Sequence, residues 1–188
     1  MKRRTLFDYG LVAVVSVLVA LLVQAYLVKP YRIPSESMAA TLKPGDRVLV
    51  NRVVYHLRQP KRGDVVVFKY PRDPSVTFIK RVVGVPGDTL VARGGRLWVN
   101  GLPTREPYVH HGRSGLDPTV AFGPEPGTTM RDPWALAQPY KVPPDTYFVM
   151  GDNRTNSDDS RDWGTVPSSD IIGEGFLVYW PFGRWETL

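Results

Sequence analysis

The apolar run from residue 10 to residue 28 sets the first constraint on the fold. Its only polar side chains are Ser16, Gln24 and Tyr26. As an α-helix the run is roughly 28 Å long, close to the thickness of a bilayer's hydrocarbon core. A cleaved signal peptide usually has a shorter apolar stretch followed by a small-x-small site, and no such site precedes Lys29. The run therefore predicts an uncleaved transmembrane helix, with a buried core helix as the alternative.

Charged residues at the two ends of this run indicate its orientation. Basic residues occupy positions 2–4, and by the positive-inside tendency they keep the N-terminus in the cytoplasm. Lys29 and Arg32, beyond the run, oppose this orientation. We expect residues 1–29 to form a cytoplasmic N-terminus and a single-pass anchor, and residues 30–188 to lie across the membrane.

The net charge of +6 is compatible with an anionic membrane surface or with nucleic acid. Lysine and arginine are scattered along the chain and form no long basic run. The sequence therefore predicts the lipid bilayer as a partner, and no nucleic acid.

Proline and glycine interrupt the chain at short intervals beyond residue 30. There are 18 prolines and 17 glycines, which favour short strands joined by turns over long helices. We predict a mostly β domain, with strands in residues 47–54, 65–68, 76–85, 146–150 and 171–180 and a hairpin in residues 89–101. Closely spaced prolines between residues 102 and 144 predict an irregular insertion, a flap or small subdomain, that divides the β domain into residues 30–101 and 145–188.

Two serines form the first candidate for chemistry. The chain has no cysteine, so serine, lysine, histidine and carboxylates must supply any reactive group. Ser35 and Ser37 follow Pro34, which stiffens the segment, and they share one side of the chain if it is extended. A plain linker is the alternative, because Pro-Ser-x-Ser is also common in linkers.

The strand predicted at residues 76–85 carries two adjacent cations. Period-two alternation places Lys80 with Phe78 on one face and Arg81 with Ile79 on the other, so at least one cation points into apolar surroundings. Arginine remains protonated when buried, whereas a desolvated lysine can lose its proton and act as a base. Lys80 is therefore the candidate general base. The alternative is an edge-strand lysine whose ammonium reaches solvent.

A polar loop follows the strand predicted at residues 146–150. Its run of Asp, Asn, Ser and Arg does not fit the EF-hand pattern of calcium ligands, and Asp159 and Arg161 are spaced to form an ion pair. A solvated turn is the alternative. His110 and His111 are adjacent and have no third ligand at a suitable spacing, so we predict neither a metal nor a cofactor.

Several of these segments resemble, in order, the conserved boxes of the bacterial type I signal peptidases. After the N-terminal span come P-S-E-S-M, T-L-K-P-G-D, R-G-D-V-V-V-F, F-I-K-R-V-V-G-V-P-G-D and G-D-N-R-T-N-S-D-D-S-R. The resemblance covers roughly residues 31–101 and 145–181 and leaves out the proline-rich middle. It implies a strongly bent antiparallel β-sheet catalytic domain of the signal-peptidase type, on the extracytoplasmic side of the bacterial cytoplasmic membrane.

The resemblance also implies roles for individual residues of a serine endopeptidase. Ser37 would be the nucleophile and Lys80 the general base, while the Ser35 hydroxyl and the Ser37 backbone N–H would form the oxyanion hole. Ser157 would orient the lysine amine. A supporting ion pair matches two residues of the polar loop, Asp159 and Arg161.

The implied substrates are the signal peptides of exported preproteins. Each would bind as an added strand, with small side chains one and three positions before the cleaved bond. One alternative is a non-catalytic, membrane-anchored β-rich binding or assembly module. Another is a self-cleaving Ser/Lys regulator, which would have no use for a membrane span. No precursor preference or oligomeric state follows from the sequence.

Overall fold

The structure, a computed structural model, describes residues 2–22, 27–39, 41–109, 136 and 138–188. Its helices are α1 (Lys2–Leu22), α2 (Val54–Leu57) and α3 (Ser160–Trp163), with 3₁₀ turns at Ser168–Asp170 and Phe182–Arg184. The strands in the described part of the chain are β1 (Val28–Arg32), β2 (Arg47–Asn51), β3 (Val65–Tyr70), β4 (Asp73–Gly84), β5 (Thr89–Arg93), β6 (Arg96–Val99), β7 (Leu102–Pro103), β8 (Tyr140–Lys141), β9 (Thr146–Met150), β10 (Val166–Pro167), β11 (Ile171–Trp180) and β12 (Glu186–Thr187). The prediction of a mostly β fold is confirmed.

The strands form two antiparallel sheets. The larger has the order β1-β2-β11-β3-β4-β9-β10, with β12 paired to β11. The smaller has the order β7-β6-β5-β8. Strand β3 is buried on both faces from Val65 to Phe68, as its continuous apolar run predicts. The described ends of the 102–144 segment, β7 and β8, pair with the β5–β6 hairpin and so belong to the smaller sheet.

The apolar run from residue 10 to residue 28 is not helical to its end. Helix α1 ends at Leu22, and Val28 is the first residue of β1, which pairs with β2 from Val28–Asn51 to Arg32–Arg47. Pro30 has no N–H to continue a helix, and the sheet supplies partners for the backbone groups of β1 instead. Among the residues that the structure describes, no helix is both long and apolar enough to cross a membrane.

The strand predicted at residues 47–54 is also shorter than expected. The Asn51 side chain accepts hydrogen bonds from the backbone N–H groups of Val53 and Val54, at 3.0 and 3.1 Å. This local capping competes with the sheet ladder and ends β2 at Asn51. Val48 and Val50 are buried, whereas Arg52 lies beyond the strand and is exposed.

The curvature of the larger sheet places the candidate site. Three strands separate β1 from β4, so neighbouring-strand spacing would keep the two roughly 19 Å apart in a flat sheet. Nevertheless, residues 31–37, at and beyond the end of β1, line one cleft together with residues 76–80 of β4. The larger sheet must therefore curl to bring these segments face to face.

Candidate active site

Ser37 lies in a tight turn after β1. The Ala39 N–H donates to the Glu36 carbonyl at 2.8 Å, and Met38, next to Ser37, is completely buried in the core. The Ser35–Ser37 segment is thus bent rather than extended. The two hydroxyl oxygens still lie on one side, 3.3 Å apart. Because Met38 is packed in the core, the Ser37 backbone is fixed while its side chain, 8% exposed, remains at the surface of the cleft.

The loop after β9 holds this turn through the backbone. Asn153 donates from its backbone N–H to the Ser37 carbonyl and from its side-chain amide to the Glu36 carbonyl, both at 3.1 Å. Gly151 lies so close that a Cβ on it would collide with the Ser37 carbonyl oxygen and with the Ser157 hydroxyl. Only glycine allows this approach of the two chain segments.

Lys80 projects from the centre of β4, opposite Val66 on β3, and is only 4% exposed. Its Nζ lies 5.6 Å from the centre of the Phe78 ring, on the face that the alternation predicts. No hydrogen bond or ion pair joins Lys80 to another described residue. Burial lowers the pKa of Lys80 to about 8, although the negative charges of Asp159 and Asp158 oppose this shift. The amine therefore releases its proton far more readily than a solvated lysine.

Asp159 and Arg161 form the predicted ion pair, and both are buried. Arg161 donates from Nε and Nη2 to the two oxygens of Asp159, each at 2.8 Å. Asp159 also caps α3 and accepts the Gly151 N–H at 3.0 Å. Burial tends to raise the pKa of Asp159, but the charge and hydrogen bonds of Arg161 outweigh it and hold the pKa below its usual value. The pair therefore fixes the loop that carries Gly151 and Ser157.

Ser157 is brought next to Gly151 at the back of the Ser37 turn. Its Oγ is buried and has no hydrogen-bond partner among the described residues. Neither Ser157 nor Ser37 is hydrogen-bonded to Lys80 within this part of the chain. The hydroxyl of Ser157 thus has its full capacity to accept or donate a hydrogen bond.

The cleft that contains these groups has a volume of about 590 Å³. Ser35, Ser37 and Lys80 all line it, and its apolar walls include Tyr31, Ile33, Val67, Phe78 and Ile79. Strand β9 pairs with β4 only from Arg81 to Gly84. Residues 76–80 therefore have no described strand partner on the side away from β3, so their free backbone groups can pair with an extended peptide.

Arg81 has a structural role that the sequence pattern does not reveal. It donates to Asp152 from Nε at 2.9 Å and from Nη2 at 2.7 Å, and Asp152 also accepts the Thr41 hydroxyl at 2.5 Å. The G-D-N run at the start of the polar loop is the one sequence signal for these contacts, and Asp152 and Asn153 were not predicted as site residues. Their partners are far away in sequence, so only the folded chain identifies them.

A metal centre is not formed by the described residues, since no group of three or more His, Asp or Glu side chains is arranged to hold an ion. His110 and His111, for which no metal is predicted, lie outside the described residues.

The fold and the site together have the arrangement of a Ser/Lys hydrolase, since a buried lysine, Lys80, lines one cleft with two serines, Ser35 and Ser37. Comparison with known proteins identifies the family. The chain matches the family described as "Signal peptidase, peptidase S26" over residues 6–180, and it belongs to that family. The predicted resemblance and the predicted class, serine endopeptidase, are confirmed, and a non-catalytic binding module is not favoured.

The relatives it resembles carry consistent names. Signal peptidase I of Leptolyngbya laminosa is 40% identical over 90% of this chain and 77% of that protein. Signal peptidase I of Pseudomonas aeruginosa is 36% identical over 100% of this chain and 78% of that protein. Signal peptidase I T of Bacillus subtilis is 35% identical over 97% of this chain and 90% of that protein. A solved signal peptidase I from Enterococcus faecalis V583 covers 62% of this chain and 97% of its own, with 28% identity and a TM-score of 0.43.

The burial of Lys80 predicts an unusual effect of pH on stability. Below pH 8 the lysine is protonated in both the folded and the unfolded chain, so only the folded chain carries a buried charge. The pKa difference between 10.5 and about 8 corresponds to about 3 kcal/mol. We expect Lys80→Met to increase the free energy of unfolding by about this amount at pH 7.

The gain in free energy of unfolding from Lys80→Met should shrink as pH rises from 8 to 10.5. In this range folded wild-type protein has lost the lysine proton while the unfolded chain still holds it, so the wild-type protein becomes more stable. Denaturant unfolding at several pH values measures this. Lys69→Met, which removes an exposed lysine from the neighbouring strand β3, is the matched control. A change in the free energy of unfolding on Lys80→Met that does not depend on pH would contradict the burial of the Lys80 ammonium.

Proposed function

We propose that this chain is a membrane-bound endopeptidase that removes N-terminal signal peptides from exported preproteins, cutting after small-x-small sites. The observation that carries the proposal is that Ser37 and Lys80 share one cleft, with the lysine buried and its pKa lowered to about 8. The relatives named signal peptidase I support the choice of substrate.

In the proposed mechanism, neutral Lys80 accepts the proton of the Ser37 hydroxyl as its oxygen attacks the carbonyl carbon of the scissile peptide bond. The tetrahedral intermediate then collapses, and the lysine ammonium gives its proton to the leaving amine. This leaves an ester between Ser37 and the signal peptide. Water, deprotonated by the same lysine, hydrolyses the ester and frees the serine.

The negative oxygen of the intermediate needs hydrogen-bond donors. We assign this role to the Ser35 hydroxyl, which is 3.3 Å from the Ser37 hydroxyl, and to the Ser37 backbone N–H. The contacts of Asn153 and Gly151 with the Ser37 turn keep that N–H in place before the substrate binds. Such preorganisation stabilises the transition state without a rearrangement during the reaction.

Ser157 is proposed to orient the amine of Lys80. Its hydroxyl is buried and unpartnered within the described residues. The residues on either side of it, Asn156 and Asp158, line the same cleft as Lys80. The Asp159–Arg161 pair supports Ser157 by fixing the loop on both sides of it.

The substrate is proposed to add an antiparallel or parallel strand along residues 76–80, where β4 has a free edge. The chain before the cleaved bond would then run through the apolar part of the cleft, between this edge and residues 31–35. Alternate side chains of an extended peptide point to the same side, so the residues one and three positions before the cut would both face the cleft walls. The apolar walls suit uncharged side chains at both positions.

We place the chain in the bacterial cytoplasmic membrane, with the N-terminus in the cytoplasm and the catalytic domain outside. The support is the exposure of apolar side chains along α1, namely Leu11, Val12, Val14, Val15, Val17, Leu18, Val19 and Leu21. In this proposal residues 1–29 contain the anchor, residues 30–101 and 145–188 form the catalytic domain, and residues 102–144 are inserted into it. Tethering raises the encounter rate with precursors in the same bilayer.

Cleavage of a precursor with an Ala-x-Ala site tests the catalytic pair. Purified full-length wild-type protein should cut it once, while Ser37→Ala and Lys80→Ala should each lose at least about a thousandfold in kcat/KM, since nucleophile and base act together. Ser168→Ala and Lys69→Ala, which alter exposed residues of the same types, are the controls. Near-normal cleavage by either site variant would reject the pair.

The pH profile of the same reaction tests the role of Lys80 as base. Because the free enzyme's lysine has a pKa of about 8, kcat/KM should rise about tenfold per pH unit below pH 8 and become constant above it. Initial rates at low precursor concentration measure this profile. A rate that stays constant down to pH 4 would exclude a lysine base.

The orientation can be tested with protease added to sealed spheroplasts. The catalytic domain should be digested without lysis, while an N-terminal tag should be protected. Digestion of the catalytic domain only after lysis would reverse the proposed topology.

A further inference from the structure

Residues 104–109 connect the smaller sheet to the catalytic loop through Glu106. Its two carboxylate oxygens accept hydrogen bonds from Arg154, from Nη2 at 2.6 Å and from Nη1 at 3.0 Å. The Arg154 side chain is completely buried. Glu106 thus gives this buried guanidinium a two-point, charge-assisted contact, whose loss would be costly in a buried setting.

Arg154 transmits this contact to the Ser37 turn. Its Nε donates to the Gly151 carbonyl at 3.0 Å, and its own carbonyl accepts a hydrogen bond from Arg161 at 2.8 Å. Gly151 is the residue that packs directly against the Ser37 carbonyl. Glu106 is therefore linked to the nucleophile's backbone through two intermediate residues.

Tyr108 makes a second link, to the other side of the same turn. Its ring lies 4.0 Å from the Arg81 guanidinium carbon, and its hydroxyl is 3.2 Å from Glu106. Arg81 follows Lys80 directly in β4, and it holds Asp152, which in turn accepts the hydroxyl of Thr41. A cation–π contact of this kind strengthens when the cation is buried, as Arg81 is here.

We propose that Glu106 and Tyr108 form a latch by which the smaller sheet positions the catalytic pair. Both are positioning residues that act through Arg154 and Arg81. The inference deepens the proposed function and rests on it, because it assigns the smaller sheet a part in the same reaction. The Glu106 contact reaches the Ser37 backbone through Arg154 and Gly151. The Tyr108 contact reaches β4 at Arg81, next to Lys80, so together they hold the two segments that carry the catalytic pair.

Loss of the latch has a distinct consequence for the base. Without Glu106 the buried Arg154 loses its two-point carboxylate contact, and we expect the loop from Gly151 to Asp159 to loosen. Water then reaches Lys80, whose low pKa depends on being dry. The largest charge effects on Lys80 come from Asp159, Asp158, Arg161 and Asp162. None of these is altered by a change at Glu106 or Tyr108, so a shifted pH profile reports repositioning.

The experiment measures kcat/KM against pH for full-length protein with the Ala-x-Ala precursor. We expect Glu106→Gln and Tyr108→Leu each to move the midpoint about one unit to higher pH, which gives about a tenfold loss at pH 7 and a smaller loss above pH 10. Tyr108→Phe keeps the ring over Arg81 and should shift the midpoint much less than Tyr108→Leu. Arg105→Gln, which changes an exposed neighbour, is the control.

Partial unfolding must be separated from positioning, because the stability of the folded chain itself rises between pH 8 and 10.5. Each rate is therefore divided by the folded fraction, measured by circular dichroism at the same pH, before the midpoint is read. Unchanged midpoints in folded Glu106→Gln and Tyr108→Leu would overturn the latch. If Glu106→Gln does not fold, the comparison of Tyr108→Phe with Tyr108→Leu tests the latch. Equal midpoints for these two variants would overturn it. Failure of the wild-type protein to cut the precursor, or full activity of Ser37→Ala, would instead reject the proposed function.

Discussion

The burial of one amine is the constraint on which the site depends. Lys80 is enclosed by β3, the Phe78 ring and the polar loop, and this enclosure favours its neutral form. A lysine at the same position on an open strand would be an ordinary cation. The desolvation opposes folding at neutral pH, so the surrounding structure must stabilise the closed cleft by other means.

Those means are the hydrogen bonds of the loop after β9. Asp159 and Arg161 fix the loop internally, and Asn153 and Gly151 attach it to the backbone of the Ser37 turn. Most of these groups are buried, where a satisfied hydrogen bond to a charged group is strong and a missing one is costly. The loop is therefore held in a single arrangement, and the Ser37 backbone is held with it.

The surroundings of Lys80 and Arg81 explain why these adjacent cations of β4 differ in their contacts. Alternation sends Lys80 and Arg81 to opposite faces, and on its own face Arg81 meets the carboxylate of Asp152 in a two-point pair. Lys80 meets an aromatic ring and more distant carboxylates instead. The arginine thus strengthens the scaffold, while the lysine is left free for proton transfer. This division fits the chemistry of the two side chains, since arginine does not give up its proton in proteins.

The sequence alone determined the strands with strong patterns, such as β3, β9 and β11, and the placement of Lys80 on a face with Phe78, because alternation and turn residues are local properties. It also indicated Ser37 as a candidate nucleophile, the Asp159–Arg161 ion pair and the resemblance to the signal peptidase family. Only the tertiary structure decided that Val28 starts a strand, that Gly151 and Asn153 hold the Ser37 turn, and that the segment after the smaller sheet contacts the loop after β9. These features join residues far apart in the chain, and no local pattern records which distant partner a backbone group or a buried charge will find.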